Sequence, residues 1–163
     1  MKSDSSSAEA VYIRALCLYQ EDWEQGLKCL ENVIRLDPDH SKAKAMIVKI
    51  RKFQEKEKTA NKLLHEENYR AVSTQISEAL EISPVNSNFF LKLLFNRAFA
   101  FSKMGLFRDA IKDCTRAMKN SWAVTKCLRL RADCYMTMRR FQNAVTDYEA
   151  LLNMEKSKNY KIN

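Results

Sequence analysis

The sequence predicts an all-α fold in which antiparallel helix pairs stack into a superhelical array. Two observations carry this prediction. The chain of 163 residues contains only two Gly and two Pro, so little interrupts long helices. A two-helix pattern also recurs at an offset of 34 residues, which aligns Asn96–Ala98 with Leu130–Ala132 and Phe107–Ala110 with Phe141–Ala144. A period of this length with small residues at fixed positions is typical of tetratricopeptide repeats (TPRs).

Four such units can be placed along the chain. They lie near residues 7–40, 53–86, 91–124 and 125–157 of an array over 7–157. Units one and two start 46 residues apart, 12 more than the period, and no helix breaker occurs between Ser41 and His65. The sequence therefore predicts one elongated helix, whose first half is the insertion and projects past the neighbouring pair. We expect residues 1–6 to be a disordered lead and 158–163 a polar tail.

Small residues mark the position at which the two helices of a unit cross closely. Ala60, Ala98 and Ala132 occupy it in units two to four, and Arg14 stands there in unit one. Stacked pairs bury their apolar faces against each other, and the first helices should line a concave groove where a partner would bind.

In unit one the residues expected to face the groove are apolar or aromatic: Ala8, Val11, Tyr12, Ala15, Leu18 and Tyr19. The middle of the groove is expected to be cationic and rich in amides. Four aromatic residues could either face the groove or pack against the adjacent unit: Tyr12, Tyr19, Phe95 and Phe99.

Charge and hydropathy narrow the class of partner. The net charge of +8 favours an acidic partner, such as an acidic peptide, nucleic acid or a membrane surface. Basic residues between Lys42 and Lys62 alternate with Glu and lack an aromatic stacking platform, so a solvated helix face is expected there and no nucleic-acid partner. No run of 18 apolar residues exists, and we expect no membrane contact. The polar N-terminus lacks the apolar stretch of a secretory signal, which predicts a cytoplasmic, or also nuclear, location.

The sequence shows no arrangement of residues that is typical of catalysis or cofactor binding. Only Gly26 and Gly105 could serve a phosphate loop, and neither His has a nearby nucleophile or Cys. We therefore expect no enzymatic activity, no cofactor and no metal. The five cysteines form an odd set without a CxxC pair and are expected to be reduced thiols, in the core or half-buried. Cys17, Cys29 and Cys114 fall on apolar helix faces.

Four stretches resemble the second TPR cluster of the DnaJ subfamily C co-chaperones. They are Arg14–Asp22, Arg35–His40, Asp109–Thr115 and Arg131–Met136. The spacing of the units fits that cluster, and the resemblance covers residues 10–160. It implies a module that docks the acidic C-terminal tails of 70 and 90 kDa heat-shock chaperones. A J domain follows the repeats in this family, but this sequence has no His-Pro-Asp tripeptide, so J-domain activity is not expected here.

The resemblance also implies a binding site, a carboxylate clamp in which five side chains from three units hold the terminal carboxylates of the tail. Asn61, Asn96 and Lys126 match the clamp. Glu57 stands where the family has a Lys, and Leu130 stands where it has an Arg.

Three further cations lie close to the clamp positions. Lys58 and Arg129 are each one residue from a mismatched position, and Lys92 adds positive charge. Two interpretations remain open: a working clamp completed by these neighbours, or a degenerate clamp in an array that recruits a different protein partner through its aromatic half. Glu57 is decisive, because a carboxylate in the clamp would repel the carboxylates of the ligand.

Overall fold

The computed structural model describes residues 3–82, 88–118 and 124–159, and the regular structure within these ranges is α-helical. The helices are α1 (Ser3–Glu21), α2 (Trp23–Leu36), α3 (Ser41–His65), α4 (Tyr69–Ile82), α5 (Asn88–Lys103), α6 (Phe107–Ala117), α7 (Val124–Thr137) and α8 (Phe141–Asn159). They pack as four pairs, called units one to four, and each pair packs on the next. The all-α array with one elongated helix is confirmed. Among the described helices, none is both long and apolar enough to cross a bilayer.

Two expectations about the chain ends need correction. Residues 3–6 are not a disordered lead but the first turn of α1. Ser and Asp are favoured at helix N-termini, where the first backbone N–H groups lack intrahelical partners, so this polar stretch extends the helix. At the other end α8 continues to Asn159, so the expected polar tail is helical over its first two residues. Residues 1–2 and 160–163 lie outside the described part of the chain.

Units two to four share one type of turn between their helices. The middle residue of each three-residue turn has a positive φ, 55° at Glu67, 76° at Gly105 and 57° at Arg139. The following backbone N–H then bonds back to the end of the first helix, as from Leu106 N to Phe101 O at 2.9 Å. This left-handed ending satisfies carbonyl groups that a helix C-terminus would otherwise leave unpaired.

Unit one turns differently, and this shifts the register of α1. Asp22 alone separates α1 from α2, and its carboxylate accepts from Glu24 N at 3.0 Å and from Gln25 N at 3.1 Å. With a shorter turn, Ala15 rather than Arg14 fills the crossing position: Ala15 is fully buried and Arg14 is exposed.

The shifted register also changes which side chains of unit one reach the groove. Ala8, Ala15 and Tyr19 were expected to line it, but all three are buried in the core of unit one. Tyr19 packs so tightly that a Cβ atom built on Gly26 would lie 2.7 Å from its Cα atom. The expectation for these three residues is therefore wrong.

The insertion gives α3 two successive packing surfaces. The first lies on Ser41–Lys52, called the extension, and it joins the core of unit one through Ala43, Met46, Ile47 and Ile50. The second half of α3 supplies Phe53 and Ala60 to a core shared with α4 and α5. The extension thus does not project freely, because unit one covers it. Twelve residues correspond to about 18 Å along a helix, which is the length that the insertion adds to α3.

Candidate functional site

Two ion pairs hold the first helices of units three and four against their second helices. Arg97 donates to both carboxylate oxygens of Asp113 at 2.6 and 2.9 Å, and Arg131 donates to both oxygens of Asp147 at 2.8 and 2.6 Å. Both carboxylates are buried. Sequence reasoning missed these pairs, although their spacing of 34 residues was a readable signal.

The same arginines also reach back to the preceding unit. The Nη1 atom of Arg97 donates to Ser77 Oγ at 2.9 Å, and that of Arg131 donates to Thr115 Oγ1 at 2.9 Å. Each arginine therefore ties three helices together. This bonding fixes the orientation of α5 and α7, the helices that carry the second and third parts of the expected clamp.

The structure brings together the two asparagines of the expected clamp. Asn96 Nδ2 on α5 donates to Asn61 Oδ1 on α3 at 3.4 Å, and both side chains are only partly buried. This bond uses one of the four N–H groups that the two amides possess. Two neighbouring units thus present adjacent amides, which we call the amide pair, on the surface of the first helices.

Glu57 and Lys92 form an ion pair one helical turn away from the amide pair. Lys92 Nζ donates to Glu57 Oε1 at 3.3 Å, and the Lys92 side chain is 44% exposed against 15% for Glu57. The sequence predicted Glu57 as an isolated repulsive charge and Lys92 as a source of positive field. In the structure these two charges largely offset each other, so neither acts as expected in isolation.

The other cations of the expected site are exposed. Lys58 on α3 and Lys126 and Arg129 on α7 are all accessible. Leu130, which takes the place of an Arg, packs partly buried against the core of units three and four. It therefore contributes to packing, and the positive charge of α7 is carried by its exposed neighbours.

A carboxylate also lies at the unit-four end of this surface. Asp133 Oδ1 accepts a hydrogen bond from the Tyr148 hydroxyl at 2.7 Å, and this bond raises the pKa of the Tyr148 phenol. Arg129 precedes Asp133 by one turn of α7, so positive and negative groups alternate there.

The aromatic residues pack against neighbouring elements. The ring of Tyr12 lies 4.9 Å from that of His40, and the ring of Phe99 meets Tyr69 edge to face at 6.2 Å. Tyr19 is 4% exposed. The aromatic half of the groove therefore offers less exposed ring surface than the sequence suggested, which weakens its role as a docking site.

The thiol prediction is confirmed in part. Cys114, Cys127 and Cys134 are buried and unbridged, and Cys29 is half-buried. Hydrogen bonding to Cys127 and burial raise the pKa of Cys114, and burial raises the pKa of Cys134 to about 11. Thiols held in the protonated form are weak nucleophiles. Cys17 departs from the prediction, since it is exposed on the outer face of α1.

Comparisons with known proteins agree with the observed architecture. Tetratricopeptide repeat models match residues 9–40 and 126–158. The chain is 38% identical over 162 residues to the Mus musculus DnaJ homolog subfamily C member 7, covering 99% of this chain and 33% of the relative. It is 31% identical to a DnaJ homolog subfamily C member 7 homolog of Dictyostelium discoideum, covering 95% of this chain and 29% of that protein. The chain therefore spans about a third of the length of these curated relatives.

A solved structure shows the same fold. The TPR domain of P58(IPK) matches with a TM-score of 0.70 at 22% identity, over 91% of this chain and 42% of that chain. Together with the repeat matches to units one and four, this likeness shows that the stacked helix pairs have the tetratricopeptide-repeat fold.

Proposed function

Since the chain is an array of tetratricopeptide repeats, we propose that it is the protein-interaction module of a co-chaperone. Its ligand would be the acidic C-terminal tail of a 70 or 90 kDa heat-shock chaperone, bound along the first helices. Similarity to DnaJ homologs over almost the whole chain supports the co-chaperone role. The net charge of +8 suits an acidic ligand.

The observation that carries this proposal is the amide pair. Asn61 and Asn96 come from adjacent units and lie 3.4 Å apart, so one carboxylate could accept N–H bonds from both. Hydrogen bonds to an ionised acceptor are about twice as strong as neutral ones. Lys126, Arg129 and Lys58 are exposed and would add positive charge, as the sequence suggested.

The carboxylate of Glu57 would compete with the ligand for the ammonium group of Lys92. A bound carboxylate that uses Lys92 must displace Glu57 or share the ammonium group with it. Glu57→Gln removes the competing charge and should tighten peptide binding by up to about fivefold, the range expected for a partly exposed ion pair. Unchanged or weaker binding by Glu57→Gln would mean that the ligand does not use Lys92.

A second candidate is an array that recruits a different protein and does not recognise a free C-terminus. The packing of Leu130 into the core, in place of a clamp cation, favours it. This partner would bind the same surface of first helices through an internal segment. A free terminal carboxylate would then make no difference to its affinity.

The test is a calorimetric titration with an acidic peptide that ends in Glu-Glu-Val-Asp, either free or amidated at its C-terminus. We expect saturable binding of the free form, loss of binding on amidation, and at least tenfold weaker binding by Asn96→Ala, which removes a hydrogen bond to a charged group. Asn32→Ala, an exposed substitution on α2, is the matched control and should bind normally.

Three other outcomes have distinct meanings. Equal binding of the free and amidated peptides would support the second candidate. Binding of neither peptide would contradict the tail-binding proposal. Equal binding that also falls steeply with salt would show only general attraction of the acidic peptide to the basic surface, and nucleic acid would then be titrated as the competing class of ligand.

A further inference from the structure

An apolar stripe runs along the outer face of α8. Phe141, Val145, Tyr148 and Leu152 recur at the spacing of one helix face, and each is between 40% and 56% exposed. Four large apolar side chains in one row are unusual on a solvated surface, and such patches mark interaction sites.

The equivalent positions on the second helices of the other units indicate the structural role of this stripe. The residues 34 positions earlier are Phe107, Ile111, Cys114 and Met118, and all four pack into the core that α6 shares with α7. The same positions of α2 hold Trp23, Leu27, Leu30 and Ile34, which pack into the core that α2 shares with the extension. The stripe is thus the stacking surface that each second helix offers to the next unit, and on α8 it is exposed.

The opposite end of the array carries the complementary surface. Four residues of α7 pack on α6. They lie five, two and one positions before and two positions after the crossing residue Ala132: Cys127, Leu130, Arg131 and Cys134. The same distances from Ala15, the crossing residue of unit one, give Ala10, Ile13, Arg14 and Cys17. All four side chains are exposed.

We propose that copies of this chain associate head to tail, with α1 of one copy stacked on α8 of the next as α7 stacks on α6. The contact continues an interface that the chain already uses between its own units. It uses α1 and α8, whereas the amide pair lies on α3 and α5.

Charge complementarity supports a second copy as the occupant. Arg131 reaches back to Thr115 on the preceding second helix. The position equivalent to Thr115 in unit four holds Glu149, and the position equivalent to Arg131 in unit one holds Arg14; both are exposed. Head-to-tail stacking would bring Arg14 of one copy to Glu149 of another, where a charge-assisted bond replaces the internal arginine–hydroxyl bond.

The geometry predicts open-ended association. Because the two surfaces differ, each added copy leaves one of each exposed, and the contact does not close on itself as a symmetric dimer does. Sedimentation velocity over a concentration series should show an average mass that rises continuously without a plateau at twice the chain mass. A monomer at every concentration up to about 1 mM would overturn the proposal.

Single charged substitutions locate the two surfaces. Val145→Glu on α8 and Ile13→Glu on α1 should each abolish self-association. Both sites are about half exposed, so the fold should tolerate the change, and circular dichroism checks it. Val48→Glu is the matched control, because Val48 is 64% exposed on α3 outside both surfaces. Loss of association by the control alone would also overturn the proposal.

Mixing the two variants gives the sharpest result. Val145→Glu retains a working α1 surface and Ile13→Glu retains a working α8 surface, so an equimolar mixture should form a one-to-one complex and nothing larger. A contact between two α8 stripes would let Ile13→Glu associate with itself and would give no mixed complex, and that outcome would contradict the head-to-tail arrangement. Arg14→Glu and Glu149→Arg should each weaken association roughly tenfold, and the double variant should recover it.

Discussion

Neighbouring units pack on each other through different contacts at the two ends of the array. At the C-terminal junction, units three and four keep the 34-residue period, and Arg131 joins Asp147 to Thr115 across the interface. At the N-terminal junction, unit one sits on the extension of α3. The polar contacts there include His40, whose Nε2 lies 3.0 Å from Glu9 Oε2 and whose Nδ1 accepts from Ala43 N, and the Arg51–Glu31 ion pair.

This difference distinguishes contacts that recur at the repeat spacing from contacts that occur at one junction only. The arginine–aspartate pair recurs in units three and four, which keep the 34-residue spacing. His40 instead caps α3 and connects its start to α1, so it can hold only the unit that the insertion displaces. Four substitutions test this division, and they follow from the largest expected effect to the smallest.

Asp147→Ala should be the most damaging change, because it leaves the largely buried Arg131 side chain without its carboxylate partner. Breaking one partner of such a pair costs about 3–5 kcal/mol of unfolding free energy. Arg14→Ala, at the equivalent exposed position of unit one, should change stability by less than about 0.5 kcal/mol. Urea denaturation measures both, and similar losses for the two variants would contradict the comparison.

Ile50→Ala tests the N-terminal junction. Ile50 is 2% exposed in the core between unit one and the extension, and removing such a side chain costs about 2–5 kcal/mol. Hydrogen exchange should show faster exchange in α1 and α2 and little change in α7, because the lost contacts are local. Val48→Ala, on the exposed side of the extension, is the control. Uniform loss of protection along the chain would show that the two ends unfold as one unit.

Gly26→Ala tests the close crossing in unit one. The added Cβ atom would lie 2.7 Å from the Tyr19 backbone, so the helices must separate at a cost of about 1–3 kcal/mol. In unit four the equivalent position is the fully buried Ala144, and Ala144→Gly should cost about 2 kcal/mol through helix propensity and the lost methyl group, without any separation of the helices. Thermal denaturation compares the two. A stabilising Gly26→Ala substitution would mean that helix propensity outweighs the contact.

The smallest effect concerns pH. The hydrogen bond to His40, aided by Lys42, lowers the pKa of Glu9. A lowered carboxyl pKa adds stability that is present above the unfolded value of about 4.3 and is lost as the pH falls through the folded value. At neutral pH the Glu9→Gln variant should therefore have a lower free energy of unfolding than the parent. Urea denaturation at a series of pH values should show this difference disappearing as the pH falls through this window. A deficit that stays constant would show that Glu9 stabilises the junction without its charge.

The sequence predicted the helices well because their signals are local and repeated. Breaker-free stretches, the crossing alanines and the 34-residue period gave the pairs and the full length of α3. It failed in unit one, where a turn shortened around Asp22 moved Ala15 into the crossing position, since a one-residue change of register is invisible without the packing. The Glu57–Lys92 pair escaped prediction for the same reason, because its two residues lie 35 positions apart on different helices.

The amide pair is tested most directly by nuclear magnetic resonance. The side-chain NH₂ signals of Asn61 and Asn96 in the ¹⁵N-labelled chain would be followed during titration with the free acidic peptide. If the tail is bound by the amide pair, both signals should shift together and saturate, and the amidated peptide should leave them in place. Saturable binding without movement of either signal would contradict the account, and would place the ligand elsewhere on the array.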